Sequence, residues 1–166
     1  MDPLQPFLTH GRTPHWDSVD IDIDWIMENH HDFGPGLVTK DVRSHLPELA
    51  PFQEFVRSCF NVPIVLDHSG IRVVYSHMVN PARPEFCECF PDNHHWPDIH
   101  CVVVCVQEPE PNNVNWGVGV QGSPWLWTPS RLGDAVVIQG NEWHTVDSFT
   151  GEKPRITLAS HFRLMT

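Results

Sequence analysis

Three side chains in the last quarter of this 166-residue chain fall where they could bind an anion and a metal. Arg155 and Thr157 stand at i and i+2 of the run Arg155-Ile156-Thr157-Leu158. In a strand such positions share a face, so Arg155 and Thr157 point together and away from Ile156 and Leu158. A guanidinium beside a hydroxyl makes a clamp for a carboxylate, with two parallel N–H bonds and a third from the hydroxyl. His144 stands one strand earlier, after the turn Gly133-Asp134 and the apolar stretch Ala135–Ile138. Neutral imidazole is the commonest metal ligand. Taken singly, Arg155 reads as an exposed strand residue and His144 as a loop residue. Taken together at this spacing they favour a site.

The elements that must hold these residues are strands. From residue 71 on, short apolar runs alternate with turns: Ile71–Tyr75, Phe86–Phe90, His100–Val106, Val114–Val120, Trp125–Trp127, Ala135–Ile138, His144–Val146 and Arg155–Phe162. His100-Cys101-Val102-Val103-Val104-Cys105-Val106 is apolar throughout, as a strand buried on both faces must be. Glu108–Asn113, Gln121–Pro124 and Arg131–Asp134 carry turn chemistry. Many short strands with turns between them predict a mainly β sandwich, jelly roll or barrel. Residues 1–65 mix signals and read as N-terminal support. Val19–Asp24 alternates apolar and acidic residues and predicts a solvated edge strand. Gly34-Pro35-Gly36 predicts a turn. Thr39 to Phe60 predicts one or two helices, with Pro51 able to open the second. Phe52, Phe55, Val56 and Phe60 recur at helical spacing and predict core packing. No repeat or linker divides residues 1–166, so one domain is expected, with its β core at 71–163.

Composition narrows the function classes. The formal net charge is −11, which repels phosphate backbones and argues against nucleic acid as a partner. No apolar run reaches membrane-spanning length and Met1–His10 lacks the pattern of a signal peptide, so a cytoplasmic protein is expected. Five cysteines, an odd number, fit reduced thiols better than a disulfide framework. Cys87-x-Cys89 has no second pair at zinc spacing. Twelve histidines raise the prior for metal chemistry. His10, His15, His30, His31, His45 and His68 read as surface residues. His100 reads as a packed core residue, His77 as a pocket residue if its strand continues, and His161 shares the parity of Arg155. Trp96, Trp116, Trp125, Trp127 and Trp143 read as core or rim, with Trp143 beside His144 able to line a pocket.

The stretch Ile99–Arg163 resembles the distal half of the Fe(II)/2-oxoglutarate-dependent oxygenase fold and is similar in strand order to prolyl-hydroxylase-type members. The resemblance implies a double-stranded β-helix (a cupin-like jelly roll) with N-terminal helices. It implies Fe(II) as cofactor, 2-oxoglutarate as cosubstrate, and oxidative decarboxylation to succinate coupled to hydroxylation by an oxidoreductase of the dioxygenase type. By the same likeness His144 corresponds to the second metal-binding His, Arg155 with Thr157 to the 2-oxoglutarate carboxylate site, and Tyr75 to a tyrosine that contacts the cosubstrate. The family's His-x-Asp pair is absent. Phe90-Pro91-Asp92 overlays it and would put Phe in place of His. Asp92 and His94, at i and i+2 in reversed order, are the expected ligands with His144. His95 with Asp98 is the alternative, one residue too long and absorbed by a bulge. Two His and one carboxylate with open positions suit non-haem Fe(II).

The substrate expected is a small molecule or a short peptide segment. Two other classes stay open. Gly133–Ile138 leading to His144 also resembles the second cupin motif, which implies a metalloenzyme that does not use 2-oxoglutarate. A metal-free ligand-binding jelly roll is the other.

Overall fold

The computed structural model describes residues 4–9, 14–17, 21–29, 38–41, 49–79, 90–91, 98–111, 114–119, 126–140 and 142–165. A 3-10 turn at Gln5–Phe7 comes first, then helix α1 (Ile23–Asn29), strand β1 (Val38–Asp41) and helix α2 (Leu49–Ser58). Strand β2 (Ile64–Val74) leads through a 3-10 turn to β3 (Phe90–Pro91), β4 (His100–Gln107), β5 (Asn115–Gly119) and β6 (Leu126–Pro129). Strands β7 (Ala135–Ile138), β8 (Trp143–Val146) and β9 (Arg155–Leu164) complete the order. Two antiparallel sheets result, one ordered β1-β2-β9-β4-β7 and the other β3-β8-β5-β6. From β2 to β9 the chain passes repeatedly from sheet to sheet, and this winding makes the protein a mainly β, double-stranded β-helix. Among the described residues no helix is long and apolar enough to cross a membrane.

Period-2 alternation splits the main sheet into two cores. Ile71 and Val73 of β2, Val102, Val104 and Val106 of β4, and Ile156, Leu158 and Phe162 of β9 pack outward, against the helices. Phe52 and Val56 of α2 are wholly buried there, and Phe60 nearly so, as the helical stripe predicts. Removing the Phe52 ring would cost about 3–5 kcal/mol. The opposite face packs inward, where Cys101 and Val103 of β4, Val136 and Ile138 of β7 and Ala159 of β9 meet Trp116 of β5 and Val146 of β8. The buried hydroxyls of Ser69 and Ser160 bond each other at 3.0 Å on the helix-facing side. Cys59, Cys101 and Cys105 are buried and form no disulfide with one another.

The N-terminal third departs from the sequence reading. Of the edge strand expected over Val19–Asp24, Val19 and Asp20 lie outside the described residues, and helix α1 starts at Ile23. Asp22 caps it: its carboxylate accepts the Trp25 N–H at 2.9 Å and its carbonyl accepts the Ile26 N–H at 3.1 Å. Capping of otherwise orphaned N–H groups outweighs a short acid-apolar alternation. Thr39 lies in strand β1, not in a helix, with Thr39 opposite Arg72 and Lys40 opposite Ile71. The open edge of β2 offers backbone partners to any extended segment, and this tertiary pull overrides local propensity. Gly34–Gly36, Pro47 and Phe86–Cys89 lie outside the described residues.

The far edge of the same sheet is covered from the N-terminus. Trp16 N–H donates to the Gly133 carbonyl at 2.8 Å and Ala135 N–H donates to the Pro14 carbonyl at 3.0 Å. His15 Nδ1 lies 2.9 Å from Asp134 Oδ1, so this histidine holds a strap to β7 and is more than a solvated surface residue. Gly133 has φ +83, and a Cβ there would stand 2.8 Å from both His15 Cε1 and the Trp16 carbonyl oxygen. The strap and the turn therefore require glycine at this position.

Candidate functional site

The inward face is where the chemistry-bearing side chains meet. Arg155 opens β9, and its cross-strand partner on β2 is Val74. Thr157 follows on the same face, between Arg72 of β2 and Cys105 of β4. Both are buried, Arg155 at 3% exposure and Thr157 at 2%, so Arg155 is not the solvated strand residue that composition alone would allow.

Arg155 is short of partners. One terminal nitrogen donates to Ser130 Oγ at 3.1 Å, and the guanidinium carbon lies 5.7 Å from the centroid of the Trp116 ring. Among the described residues its Nε–H has no acceptor and no carboxylate reaches ion-pair distance. Burial pulls the Arg155 pKa down; the Cys105 thiol opposes that pull and the Arg72 charge adds to it. Burial likewise pushes the Cys105 thiol up, while Arg155 draws it back. A desolvated cation with an unused donor costs several kcal/mol unless an anion completes it.

Trp116 links the two sheets. Its ring lies under Arg155 and stacks on His144 at 5.5 Å and 14°. Among the described residues its buried indole N–H also has no acceptor. Two orphan donors beside one another ask for a ligand rich in acceptor oxygens. His144 is on strand β8 and not in a loop, opposite Val118 of β5 and Phe90 of β3. Its Nδ1 is 3.0 Å from the Glu142 carbonyl oxygen, which can only accept. The neutral ring so held carries its lone pair on Nε2, the tautomer a metal ligand needs.

The remaining sequence-derived residues are scattered. Tyr75 lies just past β2, one residue beyond Val74, and stacks on His77 at 5.8 Å. Asp92, His94 and His95 lie outside the described residues, directly after β3. Asp98 is exposed, 4.0 Å from Arg163 Nε at the surface. His100 is a packed residue: its Nδ1 accepts the Gly140 N–H at 3.2 Å and its ring tilts on Phe162. Phe90 is the Cα partner of His144. Among the described residues no group of three His, Cys, Asp or Glu side chains could hold a metal ion. Sequence reasoning missed Ser130, and it left Trp116 among core and rim aromatics. The alternation Val114-x-Trp116-x-Val118 was the available signal for its inward face.

In solved structures the same winding recurs. An oxidoreductase of the 2OG-Fe(II) oxygenase family from Burkholderia pseudomallei aligns with TM-score 0.58 and 13% identity over 85% of this chain and 75% of its own. The chain shares the fold of this 2OG-Fe(II) oxygenase structure. The non-haem α-ketoglutarate-dependent epimerase SnoN of nogalamycin biosynthesis aligns with TM-score 0.60 and 14% identity, over 93% of this chain and 77% of its own. The related carbocyclase SnoK gives TM-score 0.60 and 13% identity, over 82% and 69%. A further structure holds SnoN with Fe3+, α-ketoglutarate and nogalamycin RO, at TM-score 0.55. No protein-family model matches the sequence, and no curated protein is similar to it in sequence. Within this oxygenase fold, β8 and β9 carry His144 and Arg155 on facing sides of the interior, with Trp116 between them.

Proposed function

We propose that this chain is an Fe(II)- and 2-oxoglutarate-dependent oxygenase, cytoplasmic, acting on a small molecule or a short peptide segment. The observation that supports it above all is Arg155: a buried guanidinium with an unused N–H and no carboxylate beside it among the described residues. The distal carboxylate of 2-oxoglutarate supplies the missing anion, taking the Arg155 Nε–H and a bond from Thr157. The indole N–H of Trp116 is the second donor waiting for an oxygen. His144 offers Nε2 to the metal while Glu142 fixes its ring, and Asp92 with His94 completes the ligand set. Tyr75 is the weaker cosubstrate contact. Bound iron and 2-oxoglutarate together supply O2 activation and C–H oxidation when present. The chain binds the cosubstrate, orients it through Arg155, and keeps water out through the apolar lining of Val103, Val136, Val146 and Ala159. SnoN, held with nogalamycin RO, is a precedent for a small molecule bound on this fold.

The test is anaerobic titration with Mn(II), followed by 2-oxoglutarate. Wild-type protein is expected to bind one metal per chain, and His144→Ala to lose that site while its melting point stays near wild type. Unchanged stoichiometry and affinity in His144→Ala would remove His144 from the metal site. A second reading draws on Phe90, which is the cross-strand partner of His144 and by the sequence overlay of Phe90-Pro91-Asp92 would replace the family's first His. It makes the chain a metal-free anion-binding jelly roll. Wild-type protein that binds dicarboxylate without binding metal would establish that reading instead.

A further inference from the structure

We propose that Leu126 is the outer apolar wall of the substrate site, so that the chain selects a small molecule that lays an uncharged ring or alkyl face on this side chain. The inference rests on the oxygenase reading above and narrows its substrate class. Strand β6 connects the two ends of the site. At one end Ser130, directly after the strand, accepts the bond from Arg155. Thr128 is the Cα partner of Trp116. Leu126 is the Cα partner of Val118, which pairs on its other side with His144. Residues paired in this way share a face of the sheet. His144 stacks on Trp116, so its row faces the interior, and Leu126 faces the interior with it. At roughly 3.3 Å per residue Leu126 stands about 13 Å from the Ser130 end, and two strand spacings, roughly 10 Å at Cα, from His144. Cosubstrate carboxylate and substrate thus fall to opposite ends of one strand.

Leu126 is 73% exposed, whereas Cys101, Trp116 and Ile138 of the inward face are buried. The apolar lining therefore reaches the row of His144 and ends in a large apolar side chain left to solvent. Covering it is favourable in proportion to the apolar area removed from water. A charged group laid against it would lose water and gain no partner. The occupant is a small molecule and neither a strand nor a second copy. Strand β6 is four residues long and ends at Pro129, which has no N–H to give, and such an edge is a poor template for pairing. A second copy would bring together two chains of net charge −11 each. Trp127, next in the strand, belongs to the opposite face. Its ring lies against Gly117, where a Cβ would stand 2.6 Å from Trp127 Cζ3. The two exposed apolar side chains of β6 thus serve different faces of the sheet.

The experiment uses 2-naphthalenemethanol, an uncharged two-ring alcohol, observed by proton NMR with protein given 2-oxoglutarate and either Mn(II) or diamagnetic Zn(II). Wild type should bind it, and Mn(II) should broaden its lines well beyond Zn(II), because the bound rings lie beside the paramagnetic ion. Leu126→Asn should weaken binding about five- to tenfold, the scale for withdrawing about half a leucine side chain from an apolar contact, and Leu126→Met should stay within about twofold. Trp127→Thr should also stay within about twofold of wild type. Unchanged affinity in Leu126→Asn overturns the proposal. So does an equal or larger loss in Trp127→Thr, which would put the probe on the outer face. Equal broadening with the two metals overturns it as well, by placing the probe away from the metal. If Leu126→Asn does not fold, Leu126→Ala decides by the same criterion. Wild type that takes up Mn(II) and 2-oxoglutarate but not the probe removes this inference alone. Wild type that takes up no Mn(II) or no 2-oxoglutarate removes the oxygenase reading together with it.

Discussion

Replacing Arg155 with methionine should stabilise the ligand-free protein and abolish its response to 2-oxoglutarate. The guanidinium is 3% exposed, with one N–H unsatisfied. An unmet buried donor costs about 1–3 kcal/mol, and desolvating the charge costs several more. Against this stand the bond to Ser130, worth roughly 1.5–3 kcal/mol, and the contact with Trp116, worth roughly 0.5–2 kcal/mol. Methionine keeps the apolar stem and removes the charge, so the apo protein should gain about 1–3 kcal/mol, the range seen when buried ions give way to apolar groups. For a chain of this size that raises Tm by about 2–12 °C. Wild type should gain about 2.7 kcal/mol at 2-oxoglutarate equal to 100 times its Kd, and Arg155→Met nothing. Thermal melts with Mn(II), with and without 2-oxoglutarate, measure both effects, and the order of the two proteins narrows or inverts when ligand is added. An apo Tm that falls by more than about 3 °C refutes the reasoning, because the guanidinium would then stabilise the fold without any ligand.

Four further substitutions at the ligand segment separate the two possible metal sets: Asp92→Ala and His94→Ala should each abolish metal-dependent succinate formation, while His95→Ala and Asp98→Ala stay close to wild type, with melting curves as controls. The reverse pattern would assign the metal to His95 and Asp98. Thr157→Val should weaken 2-oxoglutarate by about 1 kcal/mol in calorimetry, and Tyr75→Phe by no more than that. Gly133→Ala should cost about 1–3 kcal/mol, read as a lower urea midpoint at unchanged slope, because it forces a Cβ into left-handed backbone against His15 and Trp16.

What the sequence disclosed and what it hid divide along physical lines. Strand β4 was legible because a continuous apolar run has few alternatives to a buried strand. The shared face of Arg155 and Thr157 follows from period 2 alone. The helix face of Phe52 and Val56 follows from period 3.6. Helix α1 was hidden because a single cap, Asp22, decides it against an alternation that points the other way. Strand β1 was hidden because its pairing answers the free edge of β2 and not its own residues. Trp116 was hidden in a different sense. Its inward direction could be read from β5, but its place between Arg155 and His144 exists only once the two sheets close.

The pairing of β2 with β9 also governs how this chain comes to exist on a ribosome. Ser69 and Ser160, which join in the finished sheet, are 91 positions apart. At about 5–20 residues per second, β2 is made roughly 5–20 s before its partner. Through that interval β1, four residues long, is the one strand among the described residues already synthesised and able to shield an edge of the 11-residue strand. The other edge stands open as a template for a neighbouring nascent chain. Recovery of native protein should therefore depend on crowding and chaperone supply during synthesis more than on the stability of the completed β-helix, and slower, cooler expression should favour it.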